Sequence, residues 1–187
     1  MRNGSRFSRL IADKGFRRDD SGKSLAYFAL TTDSQIDGEL VEQFQQDVIE
    51  SGSSNARICL HQGADDLFHN MVILEQRNSR YFRPHQHLDK AETCQMIKGE
   101  LGLFIFDQQG GIKTAQHLST TSTAITRIGT GSWHTLLPIS DFVLYHESKP
   151  GPFISNSDSQ YPDWAPDGEN TQTALNYQEN LYGYLAS

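Results

Sequence analysis

Pro84-His85-Gln86-His87-Leu88-Asp89-Lys90-Ala91-Glu92, with Gly99 seven residues further on, is the stretch on which the reading of this chain turns. In an extended strand residues i and i+2 project to one face, so His85 and His87 present two imidazoles to one point. The four residues between His87 and Glu92 let the chain turn and return on a neighbouring strand, with the carboxylate facing that same point. A further histidine ends Gly129-Thr130-Gly131-Ser132-Trp133-His134, where the glycines permit a tight turn before the apolar run Leu136 to Leu144. Three neutral imidazoles and one carboxylate suit Zn, Fe(II), Ni or Mn, and leave one or two coordination positions for water or substrate. The expectation is a divalent metal held by His85, His87, Glu92 and His134.

The neighbouring residues suggest a pocket around that centre. Arg83 shares strand parity with His85 and His87, so its guanidinium is expected in the same cavity. It would face either a substrate carboxylate or phosphate, or an internal acid. Tyr81 continues that face, as pocket lining or as a core tyrosine. Arg57, Cys59 and His61 alternate onto one face of another strand. His61 reads as a general acid or base, or as a hydrogen-bonded histidine at the end of the strand. Cys59 has no sequence neighbour that would depress its pKa and make it a nucleophile. Tyr145, Glu147 and Lys149 form a third one-sided set, in which Glu147 either orients a ligating histidine or moves a proton. The candidate catalytic set is therefore His61, Tyr81, Arg83 and Glu147, with no organic cofactor expected. His69, His117 and His146 read as surface or turn histidines.

The fold class follows from the pattern around the motif. Leu40, Val41, Phe44, Val48 and Ile49 follow helical spacing from Asp37 onward, and Ser51-Gly52 is a stop signal. Short β-rich runs follow: 57–61, 70–76, 81–87, 93–97, 101–106, 111–117, 124–128, 135–137 and 142–147. Asp107-Gln108-Gln109-Gly110-Gly111 is a hairpin signal. Many short strands between Gly-rich turns suit an all-β sandwich or barrel. The expected layout is a polar, poorly packed leader over 1–24, a helical segment over 25–52 and a β-barrel over 53–155. A C-terminal tail over 156–187, with Tyr161, Trp164, Tyr177, Tyr182 and Tyr184, carries too many aromatics to stay free. It should wrap the barrel or a partner subunit.

Composition narrows the function classes. A net charge of -7 over 187 residues argues against a general nucleic-acid binder, because the acidic surplus opposes phosphate neutralisation. The one basic concentration, Arg2, Arg6, Arg9, Lys14, Arg17, Arg18 and Lys23, is diluted by Asp13, Asp19 and Asp20. No stretch reaches the apolar length of a signal-peptide core or membrane span, so a cytoplasmic protein is expected. Two cysteines, Cys59 and Cys94, are too few for a disulfide scaffold and read as buried reduced thiols.

The first segment resembles the first motif of the cupin superfamily: His-x-His, three or four residues, Glu, six residues, Gly. Gly131 and His134 resemble the Gly-x-x-His of its second motif. Gly129 stands where that motif often has Pro, and Pro138 where it often has Asn. Residues 57–61 and 81–85, Phe106-Asp107, Trp133-His134, residues 149–153 and Trp164-Ala165-Pro166 are similar to the WbuC-type cupin-fold metalloproteins. That likeness covers roughly residues 35 to 168. It implies a jelly-roll barrel with a metal site, and a setting in surface-polysaccharide biosynthesis. The implied partner is a small polar molecule such as a sugar or nucleotide-sugar, with the metal as Lewis acid in an isomerisation or epimerisation. An Fe(II)-dependent dioxygenase and a non-catalytic metal- or sugar-binding module are the alternatives. A homodimer is expected, as cupins often dimerise.

Overall fold

The computed structural model describes residues 6–22, 24–53, 55–155 and 157–185. The elements are α1 (Arg6–Asp13), β1 (Phe16–Asp19), β2 (Leu25–Ala29), α2 (Gly38–Ser51), β3 (Asn55–Cys59), β4 (Phe68–Gln76), β5 (Glu92–Lys98), β6 (Glu100–Phe106), β7 (Ile112–Ser119), β8 (Ile125–Ile128), β9 (Trp133–Pro138), β10 (Phe142–Pro150) and α3 (Thr171–Leu185). A seven-stranded sheet runs β1-β2-β3-β4-β10-β5-β8, and a three-stranded sheet runs β7-β6-β9. The result is a predominantly β, jelly-roll-like sandwich.

Strand alternation divides the large sheet into two faces. Val72 and Leu74 of β4 point outward, with Tyr27, Ala56, Ile58 and Leu144, onto a core closed by Ile11 of α1 and by Leu40, Phe44 and Val48 of α2. Met71 of β4 points the other way, with Ala26, Phe28 and Cys59. Further along the sheet Cys94, Met96, Val143 and Tyr145 meet Leu101, Leu103 and Leu118 of the small sheet. One face thus carries helices, and the other carries the inter-sheet core and an open cavity.

The expected helix is present and capped. Asp37 accepts from the Leu40 amide at 2.9 Å, and Gly52 ends the helix in the left-handed conformation. This helix bridges β2 and β3, which are parallel and so require a crossover. The hairpin at Asp107 is also present: its Oδ1 accepts from the Gln109 and Gly111 amides at 2.9 and 2.8 Å. Gly99, at φ 82°, turns β5 into β6 where a Cβ would stand 2.7 Å from the Phe142 carbonyl oxygen. That backbone approach explains why the motif needs glycine there.

Three expectations are revised. The segment 6–19 is not a loose leader: Ile11 and Phe16 are buried, and β1 pairs with β2 along four residues. Alternation over so short an element was masked by Arg17, Arg18 and Asp19, while Arg2 and Lys23 lie outside the described residues. The stretch 25–52 is a strand as well as a helix. Among the described residues the run 81–87 joins no ladder and makes single bridges, His85 to His134 and Gln86 to Gln160. Pro84 has no amide to donate, so pairing stops there and the sandwich stays open on that side rather than closing into a barrel.

The tail packs on the small sheet as expected, but through a helix that the sequence reading missed. Leu181 of α3 joins Phe82, Phe104, Phe106, Trp133 and Leu137 in one cluster, with Trp164 against it. Gln178 accepts from the Phe82 amide at 2.9 Å, so α3 fixes the strandless run that leads to His85.

Candidate metal centre and its pocket

The turn made by Gly131, at φ 69°, lifts His134 onto β9, where its backbone exchanges hydrogen bonds with His85 at 2.8 and 2.9 Å. β5 begins at Glu92, so the carboxylate enters from the opposing sheet. His85, His87 and His134 each offer a ring nitrogen within 4.8 Å of the others. Glu92 Oε1 lies 2.9 Å from His134 Nε2, and Oε2 lies 3.3 Å from His87 Nε2. Ligands held about 2.1 Å from a tetrahedral or octahedral ion stand roughly 3.0 to 3.4 Å apart, so these edges suit a shared cation.

The tautomers point the same way. His85 Nδ1 donates to the Arg83 carbonyl at 3.2 Å, and His134 Nδ1 to the Ser132 carbonyl at 2.8 Å. His87 Nδ1 donates to the Asp158 carbonyl. With each Nδ1 carrying the proton, each Nε2 keeps its lone pair. The buried Nε2 atoms of His87 and His134 have no hydrogen-bond partner and face the Glu92 oxygens. Lone pairs meeting a carboxylate in a buried site are the donor set a cation requires, so the residues fit a divalent metal. Burial would raise the Glu92 carboxyl, but a proton on His134 Nε2 and on His87 Nε2, bonded to it, holds it well below the usual range; a cation at this point would take the place of those protons. Burial, with His134 beside it, lowers His85 to about 3.

All four proposed catalytic residues line the same cavity of about 730 Å³ as the histidines and Glu92. Arg83 lies over the Tyr161 ring, 4.5 Å from its centroid, and its buried Nε has no partner. The buried Tyr81 hydroxyl is also unpartnered, and burial raises its pKa. Of the two readings of Arg83, the internal ion pair finds no support: no carboxylate lies within ion-pair distance of it among the described residues. His61 Nδ1 stands 3.1 Å from the Asn70 amide. It stands equally 3.1 Å from the Asn70 carbonyl, so Nδ1 either accepts from that amide or donates to that carbonyl, according to the ring tautomer. Burial, then His69, lowers His61 to about 4. Cys59 is pushed up to about 12 by burial, in keeping with an inert thiol, and both cysteines are free and buried.

Two expectations change here. Among the described residues Glu147 orients no ligating histidine; backbone carbonyls do so, and Glu147 lies 3.3 Å from Lys149 Nζ. His69 is not a surface histidine: it is buried, lines the cavity and stacks on His61 at 4.2 Å between centroids. His117 is half exposed and pairs with Glu100 at 3.2 Å.

The sequence reading missed a charged cluster beneath the centre. Lys149 Nζ lies 3.3 Å from Glu147, 3.7 Å from Asp158 and 4.0 Å from Glu92. Burial would lower Lys149, but the surrounding carboxylates raise it, so it stays charged. Lys90 Nζ donates to Asp158 Oδ1 and to the Pro152 carbonyl, each at 2.6 Å. Lys90 lies between two motif ligands, which was the available signal. Asp158, in a polar tail far along the chain, gave none.

A family model described as a domain of unknown function (DUF6016) matches residues 36–118. No curated protein matches the chain. Similar solved structures include the capsular polysaccharide assembling protein CapF from Staphylococcus aureus, 16% identical with a TM-score of 0.45, covering 52% of this chain and 27% of that one. An oxalate decarboxylase formate complex from Lactobacillus farciminis is 12% identical with a TM-score of 0.40, covering 51% and 27%. A Bacillus subtilis oxalate decarboxylase, studied for its Mn(II) centres, is 12% identical with a TM-score of 0.39, covering 51% and 24%. These neighbours are cupin-fold proteins, and the chain spans about a quarter of the length of each.

Proposed function

We propose that this chain is a metal-binding cupin whose pocket takes a small anionic polar molecule, of the kind found in surface-polysaccharide biosynthesis, as an enzyme of the isomerase or epimerase type. The observation that carries the metal reading is the convergence of His87 and His134 Nε2, each ring fixed by a carbonyl behind it, on the buried Glu92 carboxylate. His85, His87, Glu92 and His134 would hold the ion. A divalent cation there supplies a Lewis acid that polarises a substrate carbonyl or hydroxyl. Arg83, with no counterion among the described residues, pairs with a carboxylate or phosphate of the substrate, and Tyr81 donates its unpartnered hydroxyl. His61, neutral near pH 7, offers a ring that can exchange a proton with the substrate. The polysaccharide setting rests on the motif likeness to the WbuC-type family.

The reading extends to a cytoplasmic homodimer. Exposed Leu67, Phe153 and Ile154, on loops joined by the Gly151 to Leu67 and Phe153 to Ala64 backbone bonds, and Phe68 at the start of β4 offer apolar surface for it. Among the described residues no helix is long and apolar enough to cross a membrane.

The test is elemental analysis of protein purified anaerobically without a nickel column, comparing wild type with His87→Ala. About one metal equivalent, lost in the variant, is expected. No metal in either protein after addition of Zn, Mn and Fe(II) overturns the reading.

A further inference from the structure

The cavity is wider than the metal centre needs. From Glu92 on β5 its floor runs across β10 and β4 to β3 and β2, where Phe28, Arg57, Met71 and Ile73 line it. Register places these side chains in two rows. Phe28, Cys59, Met71 and Glu147 are successive cross-strand partners, as are Ala26, Arg57, Ile73 and Tyr145. Three strand spacings separate β5 from β3, about 14 Å, so the far floor cannot serve a group that touches the metal.

That far floor has two properties. Its centre is apolar, formed by Phe28, Met71 and Ile73 with the inert Cys59. Its edge carries Arg57, which has no carboxylate within ion-pair distance among the described residues. The acids nearest to it in electrostatic effect are already engaged. Glu75 binds Arg80 at 2.6 Å, and Asp19 accepts from the Ser21 amide and hydroxyl at 2.8 and 2.6 Å. A half-buried guanidinium beside an apolar floor is complementary to an anion joined to a flat or aliphatic body.

We propose that the β2–β3–β4 face is a second binding subsite, for a flat apolar group bearing an anion, with Phe28, Met71 and Ile73 as the floor and Arg57 as the anion contact. It deepens the proposed function, and rests on it only in taking the metal centre as the reacting end. The full substrate is then bipartite: a polar head at the histidines and an anionic, flat-bodied handle at Arg57.

The probe is 1-naphthyl phosphate, with inorganic phosphate as control, titrated calorimetrically into EDTA-treated and zinc-loaded full-length protein. Saturable naphthyl phosphate binding is expected, with weaker binding of inorganic phosphate. Arg57→Gln and Met71→Trp should each weaken the probe about tenfold or more, the first by removing the charge and the second by filling the floor. Arg83→Gln should weaken it less than Arg57→Gln does. EDTA-treated protein should bind the probe as zinc-loaded protein does, which separates this proposal from the metal reading. Circular dichroism confirms that each variant is folded, and the two subsite variants can fail to fold only by different routes. Absence of saturable binding, equal binding of inorganic phosphate, or loss with Arg83→Gln but not Arg57→Gln overturns the proposal.

Discussion

Replacing Lys90 with methionine keeps the length of the side chain and removes one buried charge. Lys90 Nζ makes two 2.6 Å bonds, to Asp158 Oδ1 and the Pro152 carbonyl, and both Lys90 and Asp158 are under 10% exposed, at 8% and 4%. Burial would raise the Asp158 carboxyl, but Lys90, then Lys149, hold it below its ordinary value. Breaking a buried pair from one side costs about 3 to 5 kcal/mol. Lys149 remains 3.7 Å from Asp158 Oδ2, so the lower end applies, and about 3 kcal/mol is expected. With a urea m-value of about 2 kcal/mol/M, the unfolding midpoint of EDTA-treated protein should fall by roughly 1.5 M. The second effect reaches the metal centre, because the carbonyl of Asp158 accepts the Nδ1 proton of His87. Loosening it should weaken zinc, measured by chelator competition, by about 10- to 100-fold. The exposed Asp89→Ala change serves as control and should do neither. A loss below about 1 kcal/mol together with unchanged zinc affinity would refute the reasoning.

Other outcomes follow from single contacts. Gly99→Ala combines a positive φ with a Cβ 2.7 Å from the Phe142 carbonyl oxygen, and should cost about 3 kcal/mol by urea unfolding. Trp164→Ala strips a ring packed 5.1 Å from Phe106 and 6.1 Å from Trp133, with an expected loss of about 3 kcal/mol; a loss below 1 would mean the tail adds little. His61, at about 4 against an ordinary 6.5, takes up its proton later than the unfolded chain does. Its stabilisation is therefore present above pH 6.5 and lost as the pH falls toward 4, by about 2 kcal/mol after allowance for pocket water. His61→Phe should flatten the stability curve across that window; an unchanged slope there would count against a neutral buried His61.

What was legible in the sequence was periodic or local. The Asp37-capped helix and the Asp107 hairpin depend on spacings within a few residues, and both form; the His85–His87 spacing and the Gly131–His134 turn likewise bring three histidines within 4.8 Å of one another. Period-2 alternation also predicted that Tyr81, Arg83, His85 and His87 share one cavity, although no ladder among the described residues holds them. What escaped was decided by distant partners. Phe16 becomes core only because α1, α2 and the parallel β2–β3 pair cover it. The role given to Glu147 fell to backbone carbonyls, which no residue type announces. Asp158 serves through its carbonyl as much as its carboxylate, and its partner Lys90 lies 68 positions away. Helix α3 escaped because its buried positions, Ala174, Gln178 and Leu181, include a polar residue whose use is to cap the Phe82 amide.

The position of β10 sets the order in which the molecule can be built. It lies between β4 and β5, so the large sheet remains two separate pieces until residues 142–150 exist to join them. A ribosome that has translated all four candidate ligands, the last being His134, has still not made the strand that binds Glu92's β5 to the rest of the sheet. Such long-range closure is slow. Metal capture during synthesis would therefore meet ligands on unjoined fragments, and a nascent chain arrested before Phe142 should be protease-sensitive and hold no ion.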